Sequence, residues 1–499
     1  MDPVDIFIIG GGINGAGIAR DAAGRGYSVT LCEMDDLASG TSSWSSKLVH
    51  GGVRYLEHYE FLLVRKALRE REILWAAAPH LIQPMRFIMP HHKGLRPAWL
   101  LRLGLFLYDH IGGRKLLPGT KTVDLANGIY GEPLKADYSK GFQYSDCQVD
   151  DARLVIANAL DAQIRGADIQ VRTECISARR DGKLWTIITQ NHETGERKTV
   201  SARMIINAAG PWIDQVLEGS FGRNGSNNVR MVQGSHIVVP KLFDHDNAYI
   251  FQNADGRIIF AIPFTADTTL IGTTDRDYDG NPRDARISDD EIDYLCDAAS
   301  EYFKSSLARD DIVWTYSGVR PLYDDGASKA QEATRDYVFK GEGGGAEAPL
   351  INIFGGKITT YRELAGKMMD EIEEALGRKG RPWTERASLP GGDFPVEGFG
   401  ELLAGVRAKY PFLNPAYAER LCRAYGTRVK MILGNATSPV QLGADFGHGL
   451  REVEVRYLMT NEWAQTAEDV VWRRSKLGLV MSDDQIAKLD AWMRTERGS

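Results

Sequence analysis

Three apolar runs in this chain end in small residues and open into a helical pattern, at 5–9, 205–209 and 350–354. The first feeds a glycine turn, a small-residue helix over 16–23 stopped by Gly24 and Gly26, and a second strand over 27–32. Residues 61–75 alternate apolar positions with Arg65, Lys66, Arg69, Glu70, Arg71 and Glu72, the pattern of an amphipathic helix with a solvated face. A capped helix start at 148–154 leads into a helix that runs to Gly166, and strands follow over 169–173, 185–189 and 199–204. The block 231–274 is strand-rich, with runs at 233–239, 257–263 and 270–275, and predicts a separate antiparallel sheet. Strands at 314–322 and 333–337 each carry an arginine, and 341–345 reads as a flexible glycine turn. A linker at 390–395 precedes a helix-patterned stretch over 401–493.

Together these elements predict an α/β protein that is α+β in its substrate domain. A Rossmann-like dinucleotide domain built from 1–60, 145–220 and 350–388 interleaves with an antiparallel-sheet substrate domain, 61–144 and 221–349. A C-terminal helical cap occupies 393–499.

Composition changes little: 499 residues, 43% hydrophobic and 25% charged, suit a globular enzyme of two or three domains. A net charge of −7 leaves no basic excess to neutralise a phosphate backbone, so nucleic acid is excluded as a general partner. The five cysteines form no C-x-x-C pair and are odd in number, and are expected as reduced thiols in the core. The first strand starts close to Met1, leaving no room for a signal peptide, and no apolar run is long enough to span a bilayer. The expectation is a cytoplasmic location. No metal site is expected.

The chemistry begins at Gly10, Gly12 and Gly15, which satisfy G-x-G-x-x-G between a strand and a helix. The turn brings helix N-terminal amides to a pyrophosphate, and Glu33, 18 positions beyond Gly15, suits the ribose hydroxyls of an adenosine dinucleotide. The hydroxyl-rich stretch 37–47 offers Thr41, Ser42, Ser45, Ser46 and Lys47 as a second cofactor wall. His50, Gly51-Gly52, Arg54 and Tyr55 follow, the glycines permitting close approach to a flat ring. Ala209 and Gly210 end the second apolar run, and Gly355, Gly356 and Lys357 end the third. Three strand ends scattered so widely do not match a nicotinamide dehydrogenase with one continuous cofactor domain; they suit a flavin protein whose FAD is gripped by interleaved segments. A helix N-terminus and Lys357 beneath the pyrimidine end of the flavin favour its reduced state. His50 and His236 are the candidate bases, each alternatively a hydrogen-bonded core histidine. Arg54, Arg320 and Arg335 together form a candidate anion pocket.

Residues 95–108 form an apolar, aromatic run flanked by Lys93, Arg96, Arg114 and Lys115. At roughly 18 Å of helix it cannot cross a bilayer. A buried helix and a helix lying among lipid headgroups both fit.

The runs Gly10-Gly11-Gly12-Ile13-Asn14-Gly15-Ala16-Gly17, Ser45 through Glu57, Tyr144-Ser145-Asp146-Cys147, Thr315 through Leu322 and Phe354 through Tyr361 resemble the aerobic, FAD-dependent bacterial glycerol-3-phosphate dehydrogenases, and the likeness extends to Val470-Val471-Trp472-Arg473-Arg474. The resemblance implies oxidation of sn-glycerol 3-phosphate to dihydroxyacetone phosphate, with electrons passing from FAD to a membrane quinone. It implies substrate contacts from Arg54, Tyr55, Arg320 and Arg335, an active-site role for His236, and Lys357 and Thr360 beside flavin and substrate. It also shifts the 95–108 helix toward contact with the membrane surface, giving a peripheral protein on the cytoplasmic face of the inner membrane. A homodimer is compatible with the sequence. The competing readings are an amino-acid oxidase of the same flavin superfamily, whose arginine would hold a carboxylate, and a non-catalytic dinucleotide-fold binding module.

Overall fold

The computed structural model describes residues 2–223, 228–253, 256–324 and 336–498. Its first layer is a sheet whose parallel core runs, in spatial order, Glu347–Phe354, Arg197–Asn207, Val4–Ile9 (β1), Val29–Cys32 (β2) and Asp168–Gln170. Successive strands step in opposite directions on either side of β1, so a crevice opens at its carboxyl end. The helices Ile13–Gly24 (α1), Asp151–Ile164 and Tyr361–Leu376 cover one face and share its largest apolar core. The registers Ile9 with Asn207 and Asn207 with Asn352 bring the ends of the three apolar runs side by side. Buried Asn207 donates to the Asn352 side-chain carbonyl at 2.9 Å, satisfying both amides where the sheet ends.

The second sheet is ten-stranded and antiparallel as expected, apart from one parallel pairing between Ala248–Gln252 and Ile82–His91. Helix Asp289–Tyr302 covers one face, and Phe61–Ala77 (α2) and Ala98–Ile111 (α3) lie against the other. Two domain boundaries differ from those read in the sequence. Lys140–Val149 is one continuous strand of the second sheet, paired with Ile82–His91 and with Leu48–Val49, so a boundary at 145 falls inside it. The hairpin Val338–Gly344 with Glu347–Phe354 belongs wholly to the first sheet, and 341–344 is strand rather than flexible turn. The first misplacement comes from pairing partners far away in sequence, invisible to local periodicity; the second comes from glycines that read as a loop but sit in a hairpin strand paired with its sequence neighbour.

The α3 helix is apolar yet mostly unburied. Only Leu105 and Tyr108 reach the core, while Trp99 is 70% exposed and Leu103, Phe106 and Leu107 are exposed beside it. The buried-helix reading of 95–108 is thereby corrected. Tyr59, before α2, and Leu62, on it, are also exposed, and α2 packs against α3. No helix among the described residues is long and apolar enough to cross a membrane.

Beyond the linker, Phe399–Lys409, Pro415–Tyr425, Glu452–Asn461 and Asp483–Gly498 build a helical cap around its own core. It is fastened to the first layer by buried charges. Arg474 donates to Asp36 at 2.6 and 2.8 Å, Arg473 shares that carboxylate, and Arg153 pairs with Glu462. Arg473 and Arg474 lie on a single π-helical turn, Asp469–Arg474, whose Trp472 stacks on Trp314 of the second sheet at 4.9 Å. All five cysteines are buried and free.

Candidate active site

A single cavity of about 1160 Å³ opens at the crevice and is walled by both sheets. Its floor is the glycine turn. Gly10 takes φ +109°, and a Cβ there would lie 2.5 Å from the Ala208 carbonyl oxygen; a Cβ on Gly15 would lie 2.0 Å from the Gly10 carbonyl oxygen. Only glycine lets the turn, the neighbouring strand end and the first turn of α1 meet this closely. The α1 amides have no acid in the first turn, and only Ile13 is capped, its N–H donating to Ser42 Oγ at 3.0 Å. What remains is a helix N-terminus facing an open, anion-ready space.

Glu33 stands on the cavity wall, its carboxylate accepting from the N–H groups of Gly11 at 2.7 Å and Asp35 at 2.9 Å. Burial pushes its acid up to about 7, against those two N–H bonds, which favour the ionised form. Thr41, Ser42, Ser45, Ser46, Ala209 and Gly210 also reach the cavity. Lys47 does not, and its expected cofactor contact is corrected. Its ammonium is buried and turned to Asp151 at 2.9 Å and the Ser43 carbonyl at 2.9 Å. Burial pulls Lys47 down to about 8 while Asp151 opposes the shift. A buried ammonium takes the nearest buried carboxylate, and here that partner lies on a helix 104 positions away.

His50, Arg54, Tyr55, Arg320, Gly355, Gly356 and Lys357 also line the cavity. Lys357 Nζ lies 3.6 Å from the Tyr55 ring centroid, a cation held by an aromatic face. Arg320 pairs with Asp275 and reaches Thr273 Oγ1 at 3.3 Å. Among the described residues neither Arg54 nor Lys357 pairs with a carboxylate. Arg335 lies outside the described residues. Thr360 is buried behind the wall and Thr359 occupies the lining instead, its hydroxyl accepting from the His50 N–H at 3.2 Å. Asp275, Thr273, Asn14 and Phe260 also line the cavity and escaped the sequence reading. Asn14 occupies a variable position of the glycine motif, and Asp275 follows a strand end without forming a motif.

The two candidate histidines differ in placement. His50 is on the wall, edge-on to Phe260 at 6.3 Å, and burial holds it down to about 4, with the Asp146 carboxylate opposing and the Lys357 cation adding to the shift. His236 is buried one layer back. Its ring stacks on Tyr316 at 4.6 Å, and Nε2 lies 2.9 Å from Ser46 Oγ. Burial, then the Arg320 and Lys47 cations, depress its basicity far below the ordinary range. Both rings are therefore neutral near pH 7, as a base must be.

The donor set fits a flavin dinucleotide. The glycine cradle would take the pyrophosphate and Glu33 the ribose, and the buried side-chain carbonyl of Asn14, a lining residue whose amide donates to Gly355, has no partner among the described residues. A dinucleotide crevice gripped by three chain segments and roofed by a largely antiparallel second sheet defines a flavin-dependent oxidoreductase. The chain belongs to the FAD-dependent oxidoreductase family, whose profile matches residues 5–362, and FAD is its cofactor. The match then narrows: residues 382–495 fit the C-terminal domain of alpha-glycerophosphate oxidase. The chain is 52% identical to D-erythritol 1-phosphate dehydrogenase of Brucella abortus over 98% of its own length and 97% of that protein's. It is 48% identical to glycerol-3-phosphate dehydrogenase of Pseudomonas aeruginosa, over 99% and 95%. Among solved structures it superposes on the FAD complex of glycerol-3-phosphate dehydrogenase from Bacillus halodurans with a TM-score of 0.77, at 27% identity, covering 99% of this chain and 94% of that one.

Proposed function

We propose that the protein oxidises the secondary alcohol of a short polyol phosphate, with sn-glycerol 3-phosphate as the substrate and dihydroxyacetone phosphate as the product. The observation that supports this reading is that three cations, Arg54, Arg320 and Lys357, line the same cavity. Three cations exceed what one carboxylate needs and suit a dianionic phosphate, which argues against an amino-acid substrate. Bound FAD would supply the two-electron acceptor. Arg54 and Arg320 hold the phosphate, with Arg335 as their third partner from the sequence. Lys357 and Tyr55 fix the substrate's orientation, Phe260 and Tyr144 exclude water, and a neutral histidine takes the hydroxyl proton.

A second reading keeps the chemistry and lengthens the substrate: the 52% identical relative bears the name of a tetritol phosphate dehydrogenase. Anaerobic titration separates the two. Glycerol 3-phosphate should bleach the flavin absorbance, and glycerol or amino acids should not; faster bleaching by erythritol phosphate transfers the assignment to the four-carbon substrate. A protein purified without a flavin spectrum removes the catalytic reading altogether.

The acceptor we assign is a membrane quinone, reached by docking α3 into the headgroup layer at the cytoplasmic face of the inner membrane. Support comes from the exposed Trp99, Leu103, Phe106 and Leu107, the flanking Lys93, Arg96, Arg114 and Lys115, and Leu62, which is both 74% exposed and part of the cavity lining. Flotation with liposomes tests this, and recovery of the protein only in the lipid-free fraction would end it.

A further inference from the structure

We propose that Ser46 is a catalytic proton carrier, standing between the substrate hydroxyl and His236. This rests on the polyol phosphate reading above. The two residues divide one task by position. Ser46 lines the cavity, whereas His236 is buried behind it, 2% exposed and absent from the lining. The only hydrogen bond to the ring among the described residues is the 2.9 Å contact from Nε2 to Ser46 Oγ. A proton leaving the cavity for this ring passes through the serine hydroxyl.

The surroundings fix that geometry. Tyr316 stacks on the imidazole at 4.6 Å, and its hydroxyl donates to the Ser45 carbonyl at 2.8 Å, tying the ring plane to the peptide that carries Ser46. Ser45 Oγ in turn donates to Asp151 at 2.8 Å, and Lys47 closes on the same carboxylate. On the other side a Cβ at Gly272 would lie 2.2 Å from the ring, so the strand backbone presses directly on it. Tyr316 and the Gly272 backbone pack against the imidazole and hold its plane. The charged groups facing it are Arg320, Lys47 and Asp151, two cations and one anion, so the ring is neutral before reaction.

The step balances as follows. Bound FAD would take the substrate C2 hydrogen as hydride, with its two electrons. The C2 hydroxyl proton passes to Ser46 Oγ as the Ser46 proton passes to His236 Nε2, and C2–O becomes a carbonyl. Ser46 ends as it began, and the imidazolium returns its proton through Ser46 to solvent when the product leaves. For Ser46 to donate, the resting ring must carry its single proton on Nδ1. That atom is buried and without a partner among the described residues. An orphaned buried donor is costly, and such atoms concentrate where function requires them.

Two measurements test the relay on the FAD-loaded protein. In anaerobic stopped-flow reduction by glycerol 3-phosphate, Ser46→Ala should slow the limiting rate roughly 100-fold. Ser46→Thr should restore most of it, and Ser46→Ala with His236→Ala should be no slower than His236→Ala alone. In ¹⁵N-histidine NMR without substrate, His236 should show a protonated Nδ1 and a bare Nε2, and lose that preference in Ser46→Ala. Wild-type reduction rates in Ser46→Ala, additive losses in the double variant, or a protonated Nε2 at rest would each overturn the proposal. If no polyol phosphate bleaches the wild-type flavin, the substrate reading fails instead, and the NMR result still decides the hydrogen bond.

Discussion

Arg320 is the residue on which the substrate assignment turns, and it is not free to be replaced. Its guanidinium bridges Asp275 and Thr273 at the cavity wall. Arg320→Ala removes one charge-assisted contact to phosphate and takes the guanidinium partner from Asp275 at the cavity wall, where the substrate's anion should sit. We expect kcat/KM for glycerol 3-phosphate to fall by at least about 1.5–3 kcal/mol, read from steady-state kinetics, with the flavin spectrum retained. Glu33 makes a pH-dependent prediction. Its acid is lifted from 4.5 to about 7 in the fold, so between those values the folded protein holds a proton that the unfolded chain has lost. The FAD-free protein therefore loses stability as pH rises through that window, and Glu33→Gln should flatten the dependence of Tm on pH. FAD affinity should move the opposite way, strengthening as Glu33 ionises and can accept from the ribose, as fluorescence titration would show.

At the level of elements, α3 argues for the membrane. Trp99→Ser combined with Phe106→Ser removes two of its most exposed apolar side chains and should abolish co-flotation with liposomes, while anaerobic bleaching in solution stays at the wild-type rate. The same helix shows what a sequence does and does not carry. Its apolar composition was legible, but composition cannot tell a face turned to the core from one turned to lipid. The glycine turn, β1, α1 and α2 were legible because their periodicity is local. The three strand ends were legible one by one, and their alignment at Ile9, Asn207 and Asn352 followed only from reading them as one cofactor's grip. Lys47 was misread because Asp151, the group that claims it, lies on a distant helix, and Thr359 displaced Thr360 because one position decides which face of a helical turn meets the cavity.

At the scale of the whole molecule, the cap and the dinucleotide layer share buried charges that neither could keep alone. Asp36→Asn leaves Arg473 and Arg474 without their common carboxylate and should cost about 3–5 kcal/mol, measured by urea denaturation of the FAD-loaded protein. Saturating FAD should offset part of that loss, by about 2.7 kcal/mol at a hundredfold excess over Kd. The cap turn that anchors Asp36 also stacks Trp472 on Trp314, so one segment of the cap braces the loop after β2 and the sheet that carries Arg320.

The alignment of strand ends also sets a clock. A pocket closed by Gly10, Ala209 and Gly356 does not exist until the third of these has left the ribosome. At 5–20 residues per second that is roughly 20–70 s after initiation. For the first part of that interval the first strand has only β2 beside it; its other neighbour, Arg197–Asn207, is encoded about 200 positions downstream, and Glu347–Phe354 then adds to the far edge of that strand. Loading with flavin is thus a late event in the life of the nascent chain, and ribosome-bound chains arrested before residue 350 should bind no FAD, whereas the released full-length chain should.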